Sequence, residues 1–468
     1  MRGAYLSALV SAAVLALPSL PVQAQSVFPY PVEKVTLDNG LDVLLISMPE
    51  FKDVLSLNVL VLAGAGNETE QGKTGFAHLF EHIMFRHEFR GQSDGYRKAM
   101  NKLGAFNNAW TWFDVTFYHP LTFSSNLDAV TLASGEVVPG LLELEASRFT
   151  ALEFDEKIFK TETGAVLGEY RKNATSPGLA MTEKQLELAY PQHPYGHTTI
   201  GFFQDVVNMS QHYEYARWFY DSYYRPNNCV LVIAGDIDVA TLSAKINTAF
   251  GGWEYQETPV IDVQDPPQQA ERRGHVAWDA DVPPRVNVAY LGPKFVTGSK
   301  GTAVGQILGE LLTSRSAPLF RKLRFEDKAV SQLNLSATEG FHRRLVEING
   351  QLYTDQYAEG GESYQERVIQ DIIAGFGDLE NFSSTENANR ILEMVKSKYT
   401  YDFLAQLNSP ANVALQLAYY YRFERDPQVI DKLVQSVQDL TPADIDHYAR
   451  KYFVDNSRVI VTMAPREG

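Results

Sequence analysis

The chain has 468 residues, 45% of them hydrophobic and 12% aromatic, and a formal net charge of -16. This is enough apolar material for two or more cores, and the acidic balance excludes nucleic acid or an anionic membrane surface as the natural partner. Cys229 is the only cysteine, which excludes an intrachain disulfide and leaves the core to hold the fold.

Met1-Arg2, an apolar run from Ala4 to Leu17 and small residues ending at Ala24 have the layout of a secretory leader, residues 1–24. The run is short for a membrane span and soon broken by Pro18, so a cleaved leader is the expectation and an uncleaved anchor the alternative. Export to the periplasm is the expectation, with secretion to the medium as the alternative. Val35-Thr36-Leu37 and Leu41 to Leu45 flank Asn39-Gly40 and predict a β-hairpin. Leu55 to Leu62 predicts a central strand.

Between Gly75 and Phe85, residues Phe76, Leu79, Phe80 and Ile83 recur at three- and four-residue spacing, predicting a helix with one buried stripe and Thr74 as its N-cap. Residues i and i+4 share a helix face, so His78 and His82 can direct two imidazoles to one metal ion. Glu81 is then placed to take a proton from a metal-activated water. The other reading is a helix with two ordinary histidines and a solvated glutamate. The apolar stripe disfavours it, because a packed segment does not keep three idle polar groups.

Tyr96 to Leu103 predicts a helix, and Gly104 to Tyr118 a single aromatic, β-branched strand whose small, polar start suits an exposed sheet edge. Leu127 to Glu136, Leu141 to Arg148 and Phe159 to Arg171 have helical spacing. The last carries Glu162 and Glu169, seven residues apart and so about 20° out of line on one face. One of them can be a third metal ligand while the other supports the site from behind. The competing reading is a charged surface helix. Tyr213 to Tyr224 predicts a helix, Arg225 to Asn228 a turn and Cys229 to Gly235 a buried strand, making Cys229 a core residue and not a nucleophile.

From Tyr255 to Arg273 periodicity lapses and proline accumulates. This predicts a linker, residues 254–273, between a first half at 25–253 that holds the metal site and a second half at 274–468. Beyond the linker the order recurs: a strand at Val286 to Leu291, a helix at Ala303 to Leu312, strands at Val330 to Ser336 and Leu345 to Leu352, long helices and a closing strand. Tyr452 to Val461 aligns without a gap on Tyr223 to Val232, the mark of a duplication. The second half's first helix, Gly301 to Leu312, carries no histidine, so the halves are not equivalent in chemistry.

The inverted motif His78-x-x-Glu81-His82, the stretch Asn108-Ala109-x-Thr111-x-x-Asp114-x-Thr116-x-Tyr118, the Glu162 to Glu169 helix, the His193-Pro194-Tyr195-Gly196 loop and Pro226 to Asp236 together resemble the pitrilysin/insulinase family of zinc metallopeptidases. The resemblance is to its half-length members, such as mitochondrial processing peptidase subunits and their bacterial relatives. It implies an α+β clam-shell of two tandem homologous halves, each a mainly antiparallel sheet packed by helices. The activity implied is that of a zinc endopeptidase on extended or unfolded polypeptides. Carried over, it makes His78, His82 and Glu169 the ligands of one zinc ion per chain and Glu81 the general base, with Glu162 holding the site from behind. Asn108 and Ala109 belong to the edge on which a substrate adds as an extra strand.

The resemblance also implies an Arg and a Tyr that bind substrate and steady the oxyanion. Arg324 matches the Arg, and the Tyr position, seven residues on, is Ser331. Half-length relatives pair, one subunit offering zinc and the other the Arg and Tyr. Ser331 therefore leads to the expectation of a heterodimer with a related zinc-less subunit that retains the Tyr. The alternative is a homodimer in which Arg324 suffices. The rival from another class is a non-catalytic peptide-binding or scaffold subunit with a structural metal. Three protein ligands with an open fourth position argue against it.

Overall fold

The computed structural model describes residues 26–466, so the expected leader lies outside the described residues. The Asn39-Gly40 turn forms as read: Gly40 takes φ +87° and joins β1 (Glu33–Thr36) to β2 (Asp42–Ser47) in antiparallel register. Next come β3 (Leu55–Val61), α1 (Phe76–Met84) and α2 (Gly95–Lys102). The expected single strand to Tyr118 is instead two short ones, β4 (Ala109–Thr111) and β5 (Thr116–Tyr118). The chain reverses between them because the Trp112 N–H donates to the Val115 carbonyl at 2.8 Å, and Asp114 at the corner accepts the Tyr195 hydroxyl and, at 3.1 Å, the Phe341 N–H.

The helix expected over Leu127 to Glu136 is also corrected. After β6 (Leu121–Thr122), β7 (Val130–Thr131) and β8 (Val137–Val138) pair as a small hairpin, with Gly135 at φ +83°. The β-branched residues of that pair prefer the extended backbone over the helix that the leucine spacing indicated. Then follow α3 (Leu141–Thr150), α4 (Glu156–Asn173), α5 (Pro177–Ala189), α6 (Phe203–Asn208), α7 (Tyr213–Tyr223), β9 (Cys229–Gly235) and α8 (Val239–Phe250). Sequence periodicity did not single out α5, which proves central to the architecture.

No helix or strand runs between Phe250 and Arg272. The segment is nonetheless tied at both sides, since Asp265 accepts the N–H groups of Gln192 and His193 and Gln268 donates to the Arg458 carbonyl. The second half comprises β10 (Arg272–Trp278), β11 (Arg285–Leu291), α9 (Lys300–Leu312), α10 (Pro318–Arg321), a π-helical turn at Lys322–Glu326, β12 (Val330–Ala337) and β13 (Leu345–Leu352). It ends with α11 (Thr354–Asp378), α12 (Ala388–Gln406), α13 (Pro410–Glu424), α14 (Val429–Gln438), α15 (Pro442–Tyr452) and β14 (Arg458–Pro465).

The two sheets repeat one topology. The first runs β1-β2-β9-β3-β5-β4 and the second β10-β14-β11-β13-β12. Apart from β1, which adds antiparallel to the outer side of β2, the orders match strand for strand: the strand closing each half pairs parallel with its outer neighbour, β9 with β2 and β14 with β10, and the other neighbours are antiparallel. The matched segments share local structure as well: α7 and α15 each end in a short 3-10 turn that leads into the closing strand.

Each half lends a helix to the other. On one face of the first sheet Leu57, Val59, Leu231 and Ile233 share a core with Phe80 and Ile83 of α1. On the opposite face Leu44, Leu60, Val230 and Val232 meet Val413, Leu417 and Tyr421 of α13, which belongs to the second half. Reciprocally, α5 of the first half covers the second sheet: Met181 packs on Val461 and Met463, and Leu186 joins the cluster of Ala289 and Val459. Strands buried on both faces explain why β3 and β9 read as continuous apolar runs. No helix among the described residues is long and apolar enough to cross a membrane.

Candidate active site

Helix α1 buries Phe76, Ala77, Leu79, Phe80, Ile83 and Met84, leaving His78, Glu81 and His82 on its other face. Its N-terminus is not capped by Thr74 as expected. Gly75 holds that position at φ +90°, where a Cβ would stand 2.5 Å from the Ile200 carbonyl oxygen. Thr74 instead accepts the Phe202 N–H and donates to Asp205. The free N–H groups of the first turn are taken by Glu68, whose buried carboxyl accepts from Gly75 at 2.6 Å and Ala77 at 2.7 Å. A cap supplied from seven residues upstream of Gly75, and not by the N-cap residue itself, leaves no signature at the helix start.

The spacing within α1 and α4 does what it promises. The ring centroids of His78 and His82 are 4.9 Å apart, and the two Nε2 atoms lie 3.7 and 3.5 Å from Glu169 Oε2. Glu162 stands on the far side of His82, its Oε2 3.6 Å from Nδ1 and its Oε1 3.4 Å from Arg86 Nε. Arg86, which sequence reasoning did not single out, also faces Asp94 at 3.5 Å. Burial, with His82 beside it, lowers the His78 pKa to about 4 and keeps the imidazole neutral, as a ligand must be. Burial acts in the same sense on His82, but hydrogen bonding to Glu162 and Glu169 overcomes it and raises that group to about 9.

These residues fit a zinc ion. One ligand atom from each of His78, His82 and Glu169 lies within 4.8 Å of the others, the one such group among the described residues. Two imidazoles and a carboxylate are a zinc donor set that leaves a fourth position for water or substrate. Three carboxylates gather around two imidazoles, a surplus of negative charge that a bound cation neutralises.

Glu81 points from the same helix to the sheet edge. Its Oε2 accepts the Thr111 hydroxyl at 2.7 Å. Burial pushes the Glu81 carboxyl above its ordinary range, with the Thr111 hydrogen bond opposing. β4 is the last strand of its sheet. The His119 N–H donates to the Asn108 carbonyl and the Trp112 N–H to the Val115 carbonyl, so the even-numbered residues pair inward with β5. Ala109, buried between them, therefore turns its N–H and C=O to the open edge, whereas the Asn108 carbonyl is already engaged by the sheet.

Arg324 is not part of this cluster. It sits on the π-helical turn of the second half, beside β12, and its Nη1 donates to the Tyr353 hydroxyl. Ser331 is the extra residue of a bulge between Val330 and Gln332, and its hydroxyl donates back to the Gln351 carbonyl at 3.1 Å. Tyr353 was invisible to sequence reasoning because it lies on the far side of a strand pair from Arg324. The His193 to Gly196 loop joins the halves: Tyr195 bonds Asp114, and Arg344 lies 4.7 Å over the Tyr195 ring.

Comparison with known proteins agrees with this architecture. Residues 43–201 match the family model described as insulinase (peptidase family M16), and residues 212–393 match the peptidase M16 inactive domain. The chain is 28% identical to the zinc protease PqqE of Helicobacter pylori over 451 residues, covering 95% of each chain. It is 22% identical to the uncharacterized zinc protease YmfH of Bacillus subtilis, covering 92% of this chain and 96% of that one. A crystal structure of a protease from Helicobacter pylori superposes with a TM-score of 0.82 at 26% identity, over 93% of this chain and 100% of that chain. Pitrilysin superposes at 0.73 and 17% identity over 94% of this chain and 45% of its own. With two models of this one family matching residues 43–201 and 212–393 and the same two-sheet architecture, the chain belongs to the pitrilysin/insulinase family, as a protein of its half-length type.

Proposed function

We propose that this chain is a zinc-dependent endopeptidase of extended or unfolded polypeptides, exported to the periplasm. The observation that carries the reading is the junction of three convergent ligand atoms with a carboxyl that is hydrogen bonded to the last strand of a sheet. When bound, zinc supplies Lewis acidity that polarises a carbonyl and eases deprotonation of water. His78, His82 and Glu169 hold it. Glu162 fixes the His82 ring through Nδ1, and Arg86 steadies Glu162.

An extended peptide pairs with the outward N–H and C=O of Ala109, which holds its backbone without regard to sequence. With Oε2 occupied by Thr111, Glu81 takes a proton from the attacking water at Oε1 and returns it to the leaving amine. The test is Glu81→Gln with zinc content measured alongside turnover on unstructured peptides. Retained zinc with turnover lower by about 10²- to 10⁴-fold supports the reading. Equal turnover in the two proteins overturns it, and a zinc-loaded parent that cleaves nothing in any mixture moves the chain to the non-catalytic binding subunit.

Arg324 acts in this reading within a dimer, as the resemblance to half-length relatives implies, one subunit offering the zinc site and the other the Arg and Tyr. Ser331 points to a heterodimer with a related zinc-less subunit that supplies the phenol. A second reading, a homodimer, is favoured by a specific observation: the Tyr353 hydroxyl already stands on Arg324 in this chain.

A further inference from the structure

We infer that the open edge of β4 selects peptides carrying large apolar side chains at every second position on one side, and that Phe106 and Trp112 set this preference. The inference rests on the peptidase reading of the same site and names its substrate class.

In a strand successive side chains alternate between faces. The odd residues face the metal side: the Asn107 amide donates to the Tyr96 hydroxyl and Thr111 to Glu81. The even residues face the other way. There Trp110 packs at 5.3 Å on Phe117, Phe117 stacks at 5.6 Å on His119, and His119 lies 6.2 Å from Phe106. The row lies on the sheet face whose deeper part is covered by α13. At the edge the row is uncovered at Phe106, which is 58% exposed, and the next even-numbered residue beyond Trp110, Trp112, is 36% exposed with its ring 5.5 Å from Phe113.

Large aromatic side chains left open beside unpaired backbone groups mark a surface that a partner strand completes. A peptide residue that exchanges hydrogen bonds with Ala109 shares the Ala109 face and points to the metal side. Its two neighbours point to the aromatic face, about 5 Å from the even side chains of β4. Backbone pairing therefore tolerates many sequences, and the aromatic row adds the discrimination.

The experiment measures binding by fluorescence anisotropy to the zinc-loaded Glu81→Gln chain, which does not consume its ligand. Two labelled peptides of one composition are compared: one alternates Phe with Ser, the other gathers its Phe residues into a single block. The alternating peptide is expected to bind on the order of tenfold tighter, from two favourable cross-strand contacts. Phe106→Ser and Trp112→Ser, both at exposed positions, each reduce that ratio, and together they bring it to unity.

Equal binding of the two peptides, or a ratio that survives both substitutions, overturns the inference. The peptidase reading is judged separately on the parent chain. Cleavage without discrimination removes the aromatic selection alone, whereas discrimination without cleavage leaves the recognition edge standing on a protein that is not a peptidase.

Discussion

The Thr111 hydroxyl donates to Glu81 Oε2 at 2.7 Å, so one hydrogen bond ties the edge strand to the helix that bears the candidate base. The bond aims the carboxyl and keeps one of its oxygens engaged. Thr111→Val preserves shape and removes the donor. Turnover on unstructured peptides is expected to fall about tenfold, the equivalent of one modest hydrogen bond. Zinc content and peptide affinity should stay within about twofold of the parent, because neither the ligands nor the Ala109 backbone is touched. Unchanged turnover would remove Thr111 from the machinery.

Glu162 reaches the metal site only through His82, whose Nδ1 lies 3.6 Å from it. Glu162→Gln is expected to weaken zinc binding by about 10- to 100-fold, as loss of an outer partner does. His82→Ala should abolish stoichiometric binding. Competition titration against a chromophoric chelator separates the two outcomes, and removal of zinc by chelation should silence the parent reversibly.

Asp42 of β2 is nearly buried and accepts hydrogen bonds from Tyr421 at 2.8 Å and Arg425 at 3.0 Å, across the junction of the halves. Burial alone would raise its pKa, but bonds from Thr36, Tyr421 and Arg425 outweigh burial and hold it below the ordinary 3.8. A depressed carboxyl stabilises the fold while ionised. Its contribution is full above the unfolded value near 3.8 and disappears as pH falls through the lower folded value. Asp42→Asn should cost about 2 kcal/mol at neutral pH and flatten the acid limb of the urea midpoint plotted against pH.

The homodimer reading gives Tyr353 a task. If its phenol serves the neighbouring copy's site together with Arg324, Tyr353→Phe lowers kcat about a hundredfold, the usual cost of one oxyanion donor. Ser331→Ala, which removes only a bond to the Gln351 carbonyl, should leave kcat within about twofold. Sedimentation of the purified chain decides whether a dimer forms without a second subunit.

The convergence of these side chains was legible because they are related by helix periodicity. His78 and His82 are one turn apart on α1 and Glu162 and Glu169 two turns apart on α4, so each pair shares a face wherever its helix lies. The duplicated ending was legible for a similar reason, since a helix, a short turn and a strand in fixed order are local events. Local pattern failed at Leu127 to Glu136, where leucine spacing imitated a helix and β-branched pairing prevailed, and between Thr111 and Thr116, where the Trp112 to Val115 bond closes a turn and one expected strand is a hairpin.

Sequence alone therefore determined the family resemblance, the two-half organisation and the identity of the convergent histidines and glutamates. Only the tertiary structure decided that Glu68 caps α1, that Ala109 and not Asn108 offers its backbone at the edge, that Tyr353 attends Arg324, and that α5 and α13 are exchanged between the halves. The physical reason is common to all four. Each depends on groups brought together by sheet pairing or helix packing, and no period along the chain encodes which distant partner will arrive there.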